Sequence, residues 1–181
     1  MNSRHAKAGF TIVELLIAIV IIGILASVTI VAFNGAQGRA MNSKMRQDMA
    51  SIRKALELYK ADEGRYPNSE VCDNQTGNYA YGWCGWNQGT GNSFIPGLSP
   101  KYLSAIPNLD TALASNDTYL YKASDNVSGS NDGGGRYYSL IRYRAAGLHA
   151  YETQNNPDLW IGSGYDGIAW GFKSDPALPH W

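Results

Sequence analysis

Few side chains in this 181-residue sequence are placed to do chemistry, and the most conspicuous of them is Glu14. It lies in a run over residues 10–33, FTIVELLIAIVIIGILASVTIVAF, otherwise interrupted only by Thr11, Gly23, Ser27 and Thr29. A carboxylate inside an apolar helix in lipid costs about 2.5–3.5 kcal/mol on insertion scales, so a compensating charge is expected. Cleavage after Gly9 would supply one. The new α-amine of Phe10 would lie one helical turn from Glu14, at the positive end of the helix dipole. An amine–carboxylate pair, within a chain or between neighbours, would then satisfy both charges.

The other reactive residue types form no catalytic pattern. Of the three histidines, His5 precedes the apolar run, and neither His149 nor His180 has a nucleophile motif around it. His149 falls in a predicted strand, where a structural role is expected. Gly162-Ser163-Gly164-Tyr165-Asp166-Gly167 lacks the strand-before, helix-after context of a phosphate cradle and reads as a turn. Asp125, Asn131, Asp132 and Asp166 are hard oxygen ligands, but their spacing fits no calcium loop such as the EF-hand. Cys72 and Cys84 have no second cysteine pair or nearby histidine to complete a tetrahedral zinc set. Arg142-Tyr143-Arg144 would place two cations on one strand face beside tyrosines, an arrangement that suits single-stranded nucleic acid. An enzyme is therefore not expected, nor is a cofactor.

Charge is balanced overall, with 15 basic and 15 acidic residues, but unevenly distributed. Residues 1–9 carry +2, residues 10–65 carry +2 and residues 66–181 carry −4. A protein built to grip polyanions is usually more basic. The apolar run would form a helix of roughly 36 Å, enough to cross a hydrocarbon core of about 30 Å. It is too long for the core of a secretory signal, and its small residues lie before it rather than after. The basic flanks do not orient the span, since Arg4 and Lys7 on one side face Arg39, Lys44, Arg46 and Arg53 on the other.

Lys7-Ala8-Gly9-Phe10-Thr11-Ile12-Val13-Glu14-Leu15-Leu16 resembles the class III signal of type IV pilins and type II secretion pseudopilins. The resemblance implies a short leader cut after Gly9, N-methylation of the exposed Phe10, and a Glu14 carboxylate that aligns subunits during assembly. It further implies a prepilin peptidase and N-methylase, an assembly platform, membrane lipid as the environment before assembly, and identical subunits as partners in a filament. The N-terminus is placed in the cytoplasm because the leader must meet its peptidase there. The helix-breaking proline that many pilins carry near the position of Val31 is missing. For an exported domain of this kind Cys72 and Cys84 are expected as a disulfide. The resemblance also raises calcium, which some pseudopilins bind in C-terminal loops, with Asp125, Asp132 and Asp166 as the candidates.

Beyond residue 33, Asn34-Gly35-Ala36-Gln37-Gly38 is expected to loosen the helix. Met41, Met45, Met49, Ile52, Leu56 and Tyr59 then recur at spacings of three and four, one stripe of an amphipathic helix packed on a sheet. Gly64 followed by Pro67 signals its end. Glu63-Gly64-Arg65-Tyr66-Pro67 and Lys101-Tyr102-Leu103-Ser104-Ala105-Ile106-Pro107 resemble runs in pilin and pseudopilin loops. Strands are predicted over 118–123, 136–144, 148–153 and within 168–172, with turns at Asp132-Gly133 and Ala146-Gly147. Trp83, Trp86 and Trp181 fall in loop or tail contexts.

The expected architecture is α+β, the pilin-like ladle: a long N-terminal helix, half apolar and half amphipathic, on a small antiparallel meander. Its parts are a leader over 1–9, a membrane and assembly helix over 10–33, an amphipathic helix over 34–64, a loop with the cysteine pair over 65–118, a sheet over 119–172 and a tail over 173–181. The expected function is that of a type IV pilin subunit assembled into an extracellular filament. The alternatives are a type II secretion pseudopilin and a minor pilin acting as an adhesin or DNA receptor for an unspecified surface ligand.

Overall fold

A computed structural model of the chain describes residues 11–69, 72, 79–80, 83–85, 95–107, 109, 117–125, 134–155 and 167–175. The chain divides into two compact units, residues 1–40 and 41–181. One helix, α1 (Ile12–Glu63), begins in the first and continues in the second. It is helical through Asn34 and Gly38, contrary to the expected loosening. Two glycines cost only about 1 kcal/mol each, and the alanines at 32, 36 and 40 are the strongest helix formers.

In the first unit the apolar side chains of α1 are open to their surroundings, from Ile12 at 80% exposure to Phe33 at 67%. The stretch is long and apolar enough to cross a membrane. Its hydroxyls are satisfied within the helix: Ser27 Oγ donates to the Ile24 carbonyl at 2.7 Å and Thr29 Oγ1 to the Leu25 carbonyl at 3.0 Å. No polar group of theirs then demands water, which suits a lipid environment.

The second unit has a core of its own. Met45, Met49, Ile52 and Leu56 are buried in it, with Met41 and Tyr59 packed at its margin, so the predicted stripe is the packing face. Each such side chain contributes about 1.5–3 kcal/mol on full burial. Gly64, at φ 77°, ends the helix, its N–H donating to the Lys60 carbonyl at 2.9 Å. The stripe meets a five-stranded antiparallel sheet of β1 (Tyr79–Ala80), β2 (Trp83–Cys84), β3 (Asp117–Ser124), β4 (Tyr137–Arg144) and β5 (Ala169–Lys173), ordered as in the chain. Register pairs Tyr121 with Leu140 and Leu140 with Phe172. Strand alternation sends Tyr119, Tyr121, Ala123, Tyr138 and Leu140 to the core shared with α1, and Leu120 and Ile141 to a second cluster with Trp83 and Ala169. At Gly171 a Cβ would run into the Leu140 carbonyl, so only glycine lets β5 lie this close to β4.

Three expectations are corrected. Residues 148–153 form no strand: Leu148 N–H bonds the Gly167 carbonyl, and the chain then turns into α2 (Ala150–Asn155). There Glu152 accepts the His149 N–H at 3.1 Å while the His149 carbonyl accepts the Glu152 N–H at 2.8 Å, which starts a helix instead. His149 therefore lies at a helix start, its ring stacked on Tyr151 at 4.9 Å. Trp83 lies in β2 and is buried, not in a loop. The turn at Asp132-Gly133, together with His180, Trp86 and Trp181, lies outside the described residues.

The loop after α1 is fastened to the sheet. Cys72 and Cys84 form a disulfide, closing a short loop for a contribution of about 3 kcal/mol. Ser69 Oγ accepts the Ala123 N–H at 3.1 Å, and Tyr121 Oη donates to the Pro67 carbonyl at 2.7 Å. Tyr102 packs on Tyr59 at 5.2 Å, while Lys101 pairs with Asp62 and Glu63, each at 3.3 Å.

The tyrosines at this helix–sheet junction make stability sensitive to alkali. Burial raises the phenol pKa of Tyr66, Tyr119, Tyr121 and Tyr138 above the ordinary 10.0. Glu57 adds to the rise for Tyr66 and Tyr138, and Asp48 for Tyr119. The unfolded chain therefore loses these protons first as pH rises. Stability from this source is fully present below about pH 10 and declines above it. Thermal unfolding followed by circular dichroism should give a melting temperature that falls steadily beyond pH 10; a value at pH 11 equal to that at pH 8 would contradict it.

Candidate functional site

The described residues begin one position beyond the expected new terminus, and the first turn of α1 is organised around Glu14. Thr11 N–H and Thr11 Oγ1 both donate to Glu14 Oε2 at 2.8 Å, and the Glu14 N–H returns a bond to Thr11 Oγ1 at 3.2 Å. This is a capping box, Thr at the N-cap and Glu three residues on, satisfying backbone donors that no earlier carbonyl can reach. Sequence reasoning passed over Thr11, although the Thr-x-x-Glu spacing signals it. The box holds the carboxylate at the start of the helix, where a new chain terminus would arise. Gly9 and Phe10 themselves lie outside the described residues.

A second polar cluster sits inside the second unit. Arg142 is 1% exposed, and its guanidinium Nη2 pairs with Asp117 while Nε faces Glu152 Oε1 at 3.3 Å. Arg144 Nε reaches the other Asp117 oxygen at 3.3 Å, and Trp170 Nε1 donates to Glu152 Oε1 at 3.2 Å. Two cations and two carboxylates cancel. The network joins β3, β4, β5 and the start of α2. It corrects the nucleic-acid reading of Arg142-Tyr143-Arg144: Arg142 is paired internally and Arg144 is mostly buried beside Asp117.

Of the calcium candidates, only Asp125 lies among the described residues. Asp125 Oδ1 accepts the Gly135 and Arg136 N–H groups at 2.8 and 3.1 Å, and Oδ2 faces Arg65 at 3.6 Å, so the carboxylate is held among donors. Asp132 and Asp166 lie outside the described residues. Among the described residues no group of three or more histidine, cysteine, aspartate or glutamate side chains is arranged to hold a metal.

Comparison with known proteins bears on the N-terminal part of the chain. Residues 4–30 match the prokaryotic N-terminal methylation motif, and residues 32–75 match type II secretion system protein G. The chain is similar to proteins named type II secretion system core protein G. It is 39% identical to that of Klebsiella michiganensis over 67 residues, 37% of this chain and 47% of the relative. It is 37% identical to that of Aeromonas hydrophila, over the same shares of each chain, and 33% identical to that of Vibrio cholerae over 39% of this chain and 48% of the relative. The chain spans about half the length of the curated relatives it matches. No solved structure matches it. These matches favour the pseudopilin alternative over the surface pilin expected from the sequence. With a methylation motif leading into a protein G match, and a long helix followed by a small antiparallel sheet, the chain is similar to type IV pilins and type II secretion pseudopilins.

Proposed function

We propose that this protein is a pseudopilin subunit of a type II secretion system. On this reading it is stored in the membrane through the apolar part of α1, cut after Gly9, N-methylated at Phe10 and polymerised through that helix into a short pseudopilus. The protein G match over residues 32–75, directly behind the methylation motif, is the observation that carries the reading. The open apolar surface of residues 12–33 supports it, since lipid before assembly and neighbouring helices after it would both cover that surface. The partners are then identical subunits, the prepilin peptidase and N-methylase, and an assembly platform.

Mass spectrometry of the N-terminal peptide, from membranes and from material sheared off the cell surface, tests this. The expected result is a mature chain beginning at N-methyl-Phe10, retained in the envelope, with loss of exoprotein secretion when the chain is deleted. Retention of Met1 in every fraction would overturn the processing. Abundant mature chain in sheared surface fibres, with secretion intact after deletion, would restore the pilus.

A further inference from the structure

Ser139, on β4 between β3 and β5, is fully buried, yet its Oγ has no hydrogen-bond partner among the described residues. A buried hydroxyl is normally paired, because it has given up water and must recover the bond elsewhere. Its neighbours follow from the register. Ser139 stands opposite Lys122 of β3 and opposite Lys173 of β5, so one row across three strands reads Lys-Ser-Lys. Strand alternation puts all three on the face of Leu120 and Ile141, away from the core shared with α1.

The Ser174 N–H donates to the Tyr138 carbonyl at 2.9 Å and the Arg144 N–H to the Ile168 carbonyl at 2.7 Å, so the even-numbered residues of β4 bond towards β5. Ser139 and Lys173 are then a non-hydrogen-bonded pair, the closer kind, with Cα atoms about 4.5 Å apart. Lys122 is buried, its ammonium 5.8 Å from the centre of the Trp83 ring, and Trp83 belongs to the apolar cluster of Leu120 and Ile141 on the same face. Lys173 is only half-buried, which leaves the row open at its β5 end. Burial lowers the Lys173 ammonium pKa from the ordinary 10.5, and Asp175 works against that fall.

We propose that Lys122, Ser139 and Lys173 form a binding site for a small oxyanion, a phosphate or a carboxylate, on the face of the sheet away from α1. The hydroxyl donates to one oxygen of the anion and the two ammonium groups flank the others. Bonds between charged groups of this kind are about twice as strong as neutral ones, and stronger again beside an apolar side chain such as Trp83 than in water. Two cations on one face disfavour each other, and a bound anion relieves that repulsion. The site is separate from Glu14 and from the apolar helix, so it does not depend on the pseudopilin reading.

The test uses the full chain in neutral detergent micelles. Inorganic phosphate is titrated by calorimetry and its effect on melting temperature is compared with that of sodium chloride at equal ionic strength. The expected result is saturable binding and a melting temperature that rises with phosphate but not with chloride. Ser139→Ala removes a hydroxyl that no other described residue uses. It should weaken binding about ten-fold, the worth of one charge-assisted hydrogen bond, while leaving the melting temperature without phosphate unchanged or higher. Lys173→Gln, at the open end of the row, should weaken binding at least as much, and Lys173→Arg should retain it. Acetate titrated in the same way separates the ligand classes: binding of phosphate alone assigns a dianion, of acetate alone a carboxylate, and of both any oxyanion. No saturable binding of either anion overturns the proposal. So does anion binding that Ser139→Ala leaves unchanged, which would assign the buried hydroxyl to a structural water instead.

Discussion

Replacing Glu14 by Ala is expected to leave membrane insertion and cleavage after Gly9 intact and to reduce assembled material at least about ten-fold, the cost of losing one charge-assisted pairing in an apolar setting. One role of this carboxylate is seen in the structure and a second is proposed. As the third residue of the capping box it bonds the Thr11 N–H and hydroxyl at 2.8 Å, a contribution of about 1 kcal/mol to the first helical turn. As the one ionised group in residues 10–33 it is also the only partner there for a terminal amine. Glu14→Gln separates the two, since the amide oxygen still accepts the Thr11 N–H while the charge is gone. If the Glu14→Gln chain fails to assemble as the Glu14→Ala chain does, the charge governs assembly. Normal assembly of the Glu14→Gln chain, measured as the polymerised fraction beside a count of cleaved N-termini, would reduce Glu14 to a capping residue.

The second large effect is expected at Arg142. Arg142→Met would leave Glu152, fully buried, without its cation, and Asp117, nearly so, with only Arg144. Breaking a buried ion pair from one side typically costs about 3–5 kcal/mol. For a unit of this size that is a fall of roughly 10–20 °C in melting temperature. Adding Asp117→Asn and Glu152→Gln to Arg142→Met should recover part of the loss, because neutral amides remove the stranded charges while keeping acceptors for Arg144 and Trp170. Thermal unfolding of the full chain in detergent checks both steps. A melting temperature of the Arg142→Met chain within about 2 °C of wild type would show that the network carries little of the stability.

Legibility differed sharply between the two sites. Glu14, Gly9 and Phe10 stand in a contiguous run, and the whole hypothesis about them can be written from ten adjacent residues. The stripe from Met41 to Tyr59 was equally readable, because a helix repeats its buried face every three or four residues whatever it packs against. The Arg142 network draws its members from residues 117, 142, 144, 152 and 170, five positions without a shared local pattern. Strand alternation offered one hint: Arg142 has the same parity as Tyr138 and Leu140, which face α1. The same pattern can carry an arginine into solvent or into a core, and only the approach of Asp117 and Glu152 offsets the desolvation that burial costs.

The mistaken strand over 148–153 has a related cause. Leu148-His149-Ala150-Tyr151-Glu152-Thr153 reads as rich in β-formers, yet β4 already has β3 on one side and β5 on the other. With no edge of β4 left to pair with, the segment satisfies its backbone in the short helix that Glu152 caps. By itself, the sequence determined the local features: the apolar span, the placement of the leader motif, the packing stripe and the glycine that ends α1. The tertiary structure decided which long-range partners met, since the burial of Arg142 and the route through α2 both depend on residues distant in the chain, and pairwise burial has no period along a sequence.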